Sequence, residues 1–161
     1  MNWIHIIGAG GIAMSAIAKS FLEQGFKVTG SDLQKNDLVK ELQKKGVEVT
    51  IGHQAENIVP EIDKVVYSDA IPKDNIELEQ AREYGIELLD RSAALALLTT
   101  DKEVISAAGT HGKTTTSSLV AHLLAAGELQ PSFIIGGIVK NFASNYLIND
   151  GEYFVLEGDE Y

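Results

Sequence analysis

Short apolar runs alternate with helical repeats along this chain from its first residues. The segments 3–7, 27–29, 48–51, 64–67 and 86–89 are brief and rich in β-branched or aromatic residues, as strands are. Between them Met14, Ile17, Ala18 and Phe21 recur at helical spacing, as do Leu38 and Leu42, and then Leu78, Ala81 and Arg82. Alternation of this kind predicts βαβ units and a parallel sheet covered by helices.

A second series begins near Asp101. The run 103–107 reads as a strand, a glycine loop follows, and 114–126 reads as a helix carrying Leu119, Leu123 and Leu124 on one face and Gly127 as its stop. Further strands are expected at 133–135 and 153–156, the latter with an exposed apolar edge. Thr99, Thr100, Asp101 and Lys102 form the best boundary, although the stretch holds neither proline nor glycine. The expected organisation is a first domain over 1–100 and the start of a second over 101–161, both α/β.

Composition narrows the possibilities without naming an activity. With 45% hydrophobic and 22% charged residues, the 161-residue chain can bury a core and is neither disordered nor fibrous in character. A formal charge of -10 disfavours a nucleic-acid partner or an anionic membrane surface, so any bound phosphate needs a local site. Cysteine is absent, which excludes disulfides and thiolate chemistry and fits the cytoplasm. No apolar run approaches the roughly 20 residues that span a bilayer, and the N-terminus carries no basic leader, so a soluble protein is expected.

The most informative segment is Ala108-Gly109-Thr110-His111-Gly112-Lys113-Thr114, which lies after a strand and before a helix. Small residues there let successive N–H groups and the helix N-terminus point at phosphate oxygens. The Lys113 ammonium reaches the outer phosphates, and the Thr114 hydroxyl can hold Mg²⁺. Gly109, Thr110, His111, Gly112, Lys113, Thr114 and Thr115 are therefore the candidate triphosphate contacts, with Lys113 the candidate catalytic group. The common pattern G-x-x-x-x-G-K-[ST] would place its first glycine at position 107, which is Ala107 here. A hydroxyl alone holds Mg²⁺ weakly, and Glu157, at the end of a buried-strand pattern, is the candidate second ligand.

A second glycine loop, Gly8-Ala9-Gly10-Gly11-Ile12-Ala13, follows the first strand and opens the first helix. It matches G-x-G-x-x-A, the fingerprint of a Rossmann-like nucleotide site, with Asp32 at the end of the second strand as the acid for a ribose hydroxyl. His53 and Ser68 follow the third and fourth strands and gather at the same sheet edge. At this stage the ligand is nucleotide-like and its identity is open.

The strings IHIIGAGGIAMSAIA, GSDL, IGHQAENI, VVYSDAIPKDN, GTHGKTTTSS and EGDEY, in this order, resemble the Mur ligase family of ATP-dependent peptidoglycan-precursor ligases. The resemblance covers essentially the whole chain. It implies that Gly8, Gly10 and Gly11 belong to a site for UDP-N-acetylmuramate, with Gly10 and Gly11 approaching the diphosphate, while Asp32, His53 and Ser68 lie near its uridine part. It implies further that Lys113, Thr114 and Glu157 serve ATP and Mg²⁺. Two reactions of the family are compatible with the strings, addition of L-alanine or of a tripeptide to this nucleotide sugar through an acyl phosphate. The family also continues well beyond residue 161, so the chain by itself is expected to be inactive. Outside the family, a NAD-binding oxidoreductase domain leaves the second glycine loop unexplained, and a non-catalytic nucleotide-sugar-binding module is the other rival. The oligomeric state is not legible.

Overall fold

A computed structural model describes residues 2–158; Met1 and the Asp159, Glu160 and Tyr161 of the EGDEY string lie outside the described residues. The chain divides into two compact units, up to Leu98 and from Thr99.

The first unit is a five-stranded, wholly parallel sheet in the order β3-β2-β1-β4-β5. Its strands are β1 (Trp3–Ile7), β2 (Lys27–Asp32), β3 (Glu48–Ile51), β4 (Lys64–Tyr67) and β5 (Glu87–Asp90). Helices α1 (Ile12–Glu23), α2 (Asp37–Lys44), α3 (Ile76–Glu83) and α4 (Arg91–Leu98) connect or follow them, and a short 3-10 turn at Ala55–Asn57 stands where a crossover helix is otherwise usual. The sheet is buried on both faces: Ile4, Ile6 and Val28 are inaccessible or nearly so, and on the opposite side Ile7 and Val65 pack with Ile58, Ile62, Leu78 and Ala81. The strand order reverses beside β1, so the crevice between the carboxyl ends of β1 and β4 is the natural ligand position of such a sheet.

Side-chain caps set two helix starts. Asn36 accepts from the N–H of Val39, and Asn75 accepts from those of Glu77 and Leu78. Two features depart from the sequence expectation. Strand β2 runs on through Gly30, Ser31 and Asp32, and α4 was not foreseen at all. Asp90 accepts from the Ala93 N–H at its start, so an acidic cap before a short Ala/Leu run was the available signal.

The second unit holds a four-stranded sheet in the order β6-β9-β7-β8 and one helix, α5 (Lys113–Ala126). Strands β6 (Glu103–Ala107), β9 (Tyr153–Glu157) and β7 (Ser132–Val139) run parallel, while β8 (Ser144–Leu147) returns antiparallel to β7. Strand β9 is paired on both sides, so the exposed edge expected at 153–156 is not found; Phe154 and Val155 are fully buried. The face of α5 is also corrected. Leu119 and Leu123 are exposed, whereas Ser117, Val120, Ala121 and Leu124 turn inward, the last three against Phe133, Ile135 and Val155. The i, i+3, i+4, i+7 spacing runs through Ser117, Val120, Ala121 and Leu124, so of the three expected leucines only Leu124 faces inward.

Among the described residues, no helix is long and apolar enough to cross a membrane.

Candidate functional site

The glycine loop after β1 is fastened to β2. The N–H groups of Gly8 and Ala9 both reach the Ser31 carbonyl, at 2.9 and 3.0 Å, and the Gly11 N–H turns back to the Gly8 carbonyl at 3.1 Å. Asp32 serves this loop directly: Oδ2 accepts from the Gly10 N–H at 2.8 Å and Oδ1 from the Gln34 N–H at 2.9 Å. Asn36 completes the clasp by donating to the Gly10 carbonyl at 2.9 Å.

A Cβ at Gly10 would stand 2.8 Å from both Asp32 Oδ2 and Asn36 Nδ2 and 3.0 Å from Val39 Cγ2. The close approach that requires glycine here is to the chain's own side chains. Gly10→Ala is accordingly expected to destabilise the first unit by about 1–3 kcal/mol, the usual cost of overpacking. A lower urea midpoint would register it, and an unchanged midpoint would mean that the clasp yields freely.

Beside this loop lies a cleft of about 280 Å³ lined by Gly8, Gly11, Met14, Ser68, Asp69 and Arg91. It sits at the β1/β4 reversal and at the start of α1, whose first N–H groups have no capping side chain. Of the first-loop candidates, the cleft brings together Gly8, Gly11 and Ser68. Gly10 and Asp32 hold the loop behind it. Arg91, the first residue of α4, was missed with that helix; it puts a cation on the wall of the cleft, where a diphosphate would profit from it.

His53 belongs to a separate polar cluster. Glu77, fully buried at the start of α3, accepts from the Ser31 hydroxyl at 2.6 Å and from His53 Nδ1 at 3.0 Å. The side-chain amide of Asn57 and the backbone N–H of Gln54 meet its other oxygen. Sequence reading passed over Glu77, because an acid in the first turn of a helix is ordinarily a solvated partner of the helix dipole. Close by, Trp3 Nε1–H donates to Thr29 Oγ1 at 2.9 Å, and Thr29 lies 2.9 Å from Nδ1 of the buried His5. Burial lowers the His5 pKa from 6.5 to about 4; Glu77 opposes the shift, and the electrostatic influence of His53 adds to it.

In the second unit, the loop 108–112 joins β6 to α5. Gly112 occupies the left-handed region at φ 81° as the residue preceding the helix, which makes a side chain there costly. Lys113 is the first residue of α5 and half-buried; Thr114 and Thr115 follow in the exposed first turn, and Thr110 and His111 are exposed.

Glu157 ends β9 directly opposite Ala107, the last residue of β6, and the Gly158 N–H donates to the Ala107 carbonyl at 2.9 Å. Its Oε1 is buried and accepts no hydrogen bond among the described residues. Gly136 leaves the room the carboxylate occupies, since a Cβ there would lie 2.8 Å from Glu157 Oε2. The adjoining Gly137 would carry a Cβ 3.1 Å from Thr114 Cγ2, so neighbouring residues of β7 touch both metal-ligand candidates. Among the described residues no group of three His, Cys, Asp or Glu is placed to hold a metal. Any cation held by Thr114 and Glu157 therefore needs further oxygens, such as those of a polyphosphate. A groove of about 510 Å³ opens beside Thr114, with Thr115, His122, Lys140 and Asn141 on its walls.

The description "Mur ligase family, catalytic domain" matches residues 3–103. The chain is 46% identical over 159 residues to the UDP-N-acetylmuramate–L-alanine ligase of Syntrophomonas wolfei, covering 99% of this chain and 34% of that protein. Its identity to the enzyme of the same name from Campylobacter jejuni is 47% over 160 residues, with 99% and 36% covered. Among solved structures, the UDP-N-acetylmuramate-alanine ligase of Thermotoga maritima matches with a TM-score of 0.86 at 32% identity, over 98% of this chain and 37% of that one. The murein peptide ligase of Psychrobacter arcticus matches with a TM-score of 0.91 at 28% identity, over 100% and 38%. The chain thus spans about a third of the length of these relatives. With a family match over more than half of its residues and both glycine loops in place, the chain belongs to the Mur ligase family.

Proposed function

We propose that this chain is the nucleotide-binding front portion of an ATP-dependent ligase that joins L-alanine to the carboxylate of UDP-N-acetylmuramate. The observation that carries the reading is Glu157: a buried carboxylate oxygen without a hydrogen-bond partner among the described residues, in register with the last strand residue before a Gly-Lys-Thr phosphate loop. The first unit would receive the UDP moiety, with Gly8, Gly11, Ser68 and Arg91 around the diphosphate and Asp32 shaping the loop. The second would receive ATP at residues 109–115.

The reaction begins as the carboxylate oxygen of the sugar attacks the γ-phosphorus of ATP and ADP leaves. The amine then attacks the acyl carbon of the resulting acyl phosphate, inorganic phosphate departs, and the new amide nitrogen gives up a proton. Two anions meet in the first step, and the ammonium of Lys113 and the N–H groups at the start of α5 lower that repulsion. A Mg²⁺ held by Thr114 and Glu157 would supply additional positive charge at the phosphates. Gly112 keeps the backbone close enough for these donors to act, and the groove beside Thr114 offers space for the second substrate. No side chain has to serve as a covalent nucleophile. The substrates imply a cytoplasmic protein.

A second reading, addition of a tripeptide to the same nucleotide sugar, is favoured by the likeness to the Psychrobacter arcticus murein peptide ligase. Assaying L-alanine against the tripeptide as acceptor in a ligation-competent form separates the two. For the present chain the direct test is calorimetry. UDP-N-acetylmuramate is expected to bind and NAD not to; micromolar NAD binding with no response to the UDP sugar would remove the ligase reading of the first unit.

A further inference from the structure

Glu77 determines which nitrogen of His53 faces outward. A carboxylate only accepts hydrogen bonds, and four donors converge on this one: the Ser31 hydroxyl and His53 Nδ1 on Oε2, the Asn57 amide and the Gln54 N–H on Oε1. To belong to that set, His53 must carry its proton on Nδ1. A neutral imidazole then keeps its lone pair on Nε2.

Nε2 has no hydrogen-bond partner among the described residues, yet it is not one of their closed-off polar atoms, and the His53 side chain retains 12% of its exposure. The residue hangs from Gly52, whose N–H is fixed to the Asp32 carbonyl at 2.8 Å, so it stands at the carboxyl-terminal edge of β2 and β3. The outward atom at that edge is an acceptor.

We propose that Glu77 is a positioning residue that holds His53 in the Nδ1–H tautomer, so that Nε2 accepts a hydrogen bond from an N–H or O–H of the nucleoside. This rests on the reading of the first unit as a UDP-sugar site. Ser31 and Asn57 brace the carboxylate from β2 and from the 3-10 turn, which leaves the ring little freedom to exchange its nitrogens. The polarity has a consequence for ligand choice: a nucleoside must bring a proton to this position, and one that brings a lone pair is rejected.

The ring is read directly by ¹⁵N-detected NMR of the unmodified chain near neutral pH, with a His53→Gln protein to assign the signals. The expected spectrum has a protonated Nδ1 and an unprotonated Nε2; the opposite tautomer overturns the proposal. Affinities for UDP, N3-methyl-UDP and 2′-deoxy-UDP then locate the donor, since the first analogue lacks the imide N–H and the second a ribose hydroxyl. One of the two is expected to bind about tenfold more weakly than UDP, and losses under twofold for both overturn it.

Glu77→Gln leaves one acceptor oxygen for four donors. Provided its thermal melt shows a folded protein, it should lose the tautomer preference and weaken UDP binding about tenfold. Unmoved ring signals with affinity within twofold count against the proposal. Failure of the unmodified chain to bind UDP would remove the functional reading instead, while its ring spectrum still decides the role of Glu77.

Discussion

Replacing Lys113 with Ala is expected to lower ligation by about a hundredfold or more while leaving UDP-sugar affinity within a few fold. The separation of effects follows from where the residue stands. Lys113 opens α5 in the second unit, immediately after Gly112, whereas the cleft assigned to the diphosphate of the sugar is built from Gly8, Gly11, Ser68 and Arg91 of the first. Ala is also a good helix former, so the first turn of α5 should survive the change. What disappears is an ammonium directed at phosphate charge that grows in the transition state. Such contacts are worth roughly 3–5 kcal/mol, which converts to a rate loss of that order. Steady-state turnover of a ligation-competent form, together with calorimetry of the UDP sugar, measures both halves. Unchanged turnover would mean that the loop does no more than start a helix.

The second large effect is on stability, and it comes from His5. Its pKa, 6.5 in the ordinary case, stands at about 4 in the folded protein, chiefly because burial penalises the imidazolium. Between those two values the unfolded chain binds a proton that the folded chain refuses. Stability is therefore complete above about pH 6.5 and falls progressively as the pH drops toward 4. The gap corresponds to roughly 3 kcal/mol. Denaturant midpoints of the unmodified protein should decline over this window, and those of a His5→Gln protein should decline less by most of that amount. Carboxylates titrate in the lower part of the same range in both proteins, so the difference between the curves is the quantity of interest. Parallel curves would show that His5 takes up its proton in the fold without penalty.

The residues that set up these two effects differ in how plainly the sequence announces them. Lys113 was visible at once, because the chemistry of a phosphate loop depends on a few adjacent residues between a strand and a helix. The same holds for Gly8-Ala9-Gly10-Gly11, and for β1, β3, β4 and β6, whose bounds match the apolar runs. The Mur ligase resemblance rests on similarly local strings. His5, by contrast, reads as one polar residue in an apolar strand. Its shifted proton depends on its burial and then on Glu77 and His53, all of which only the folded sheet supplies.

Local pattern by itself determined the α/β class, the alternation of strands and helices, and the two glycine loops between strand and helix, since each is written in the spacing of neighbouring residues. Tertiary structure decided the rest. It set Asp32 to hold the Gly10 loop in place, turned Ser117, Val120 and Ala121 of α5 inward beside Leu124 in place of Leu119 and Leu123, and put β9 inside its sheet with Glu157 beside Ala107. It also buried Glu77 under four donors from two separate segments, Ser31 of β2 and the stretch 53–57. These arrangements join residues some 20 to 50 positions apart, as Gly10 to Asp32, Ser31 to Glu77 and Ala107 to Glu157. The energy that selects them is burial and hydrogen bonding across strands, which no window of neighbouring residues contains.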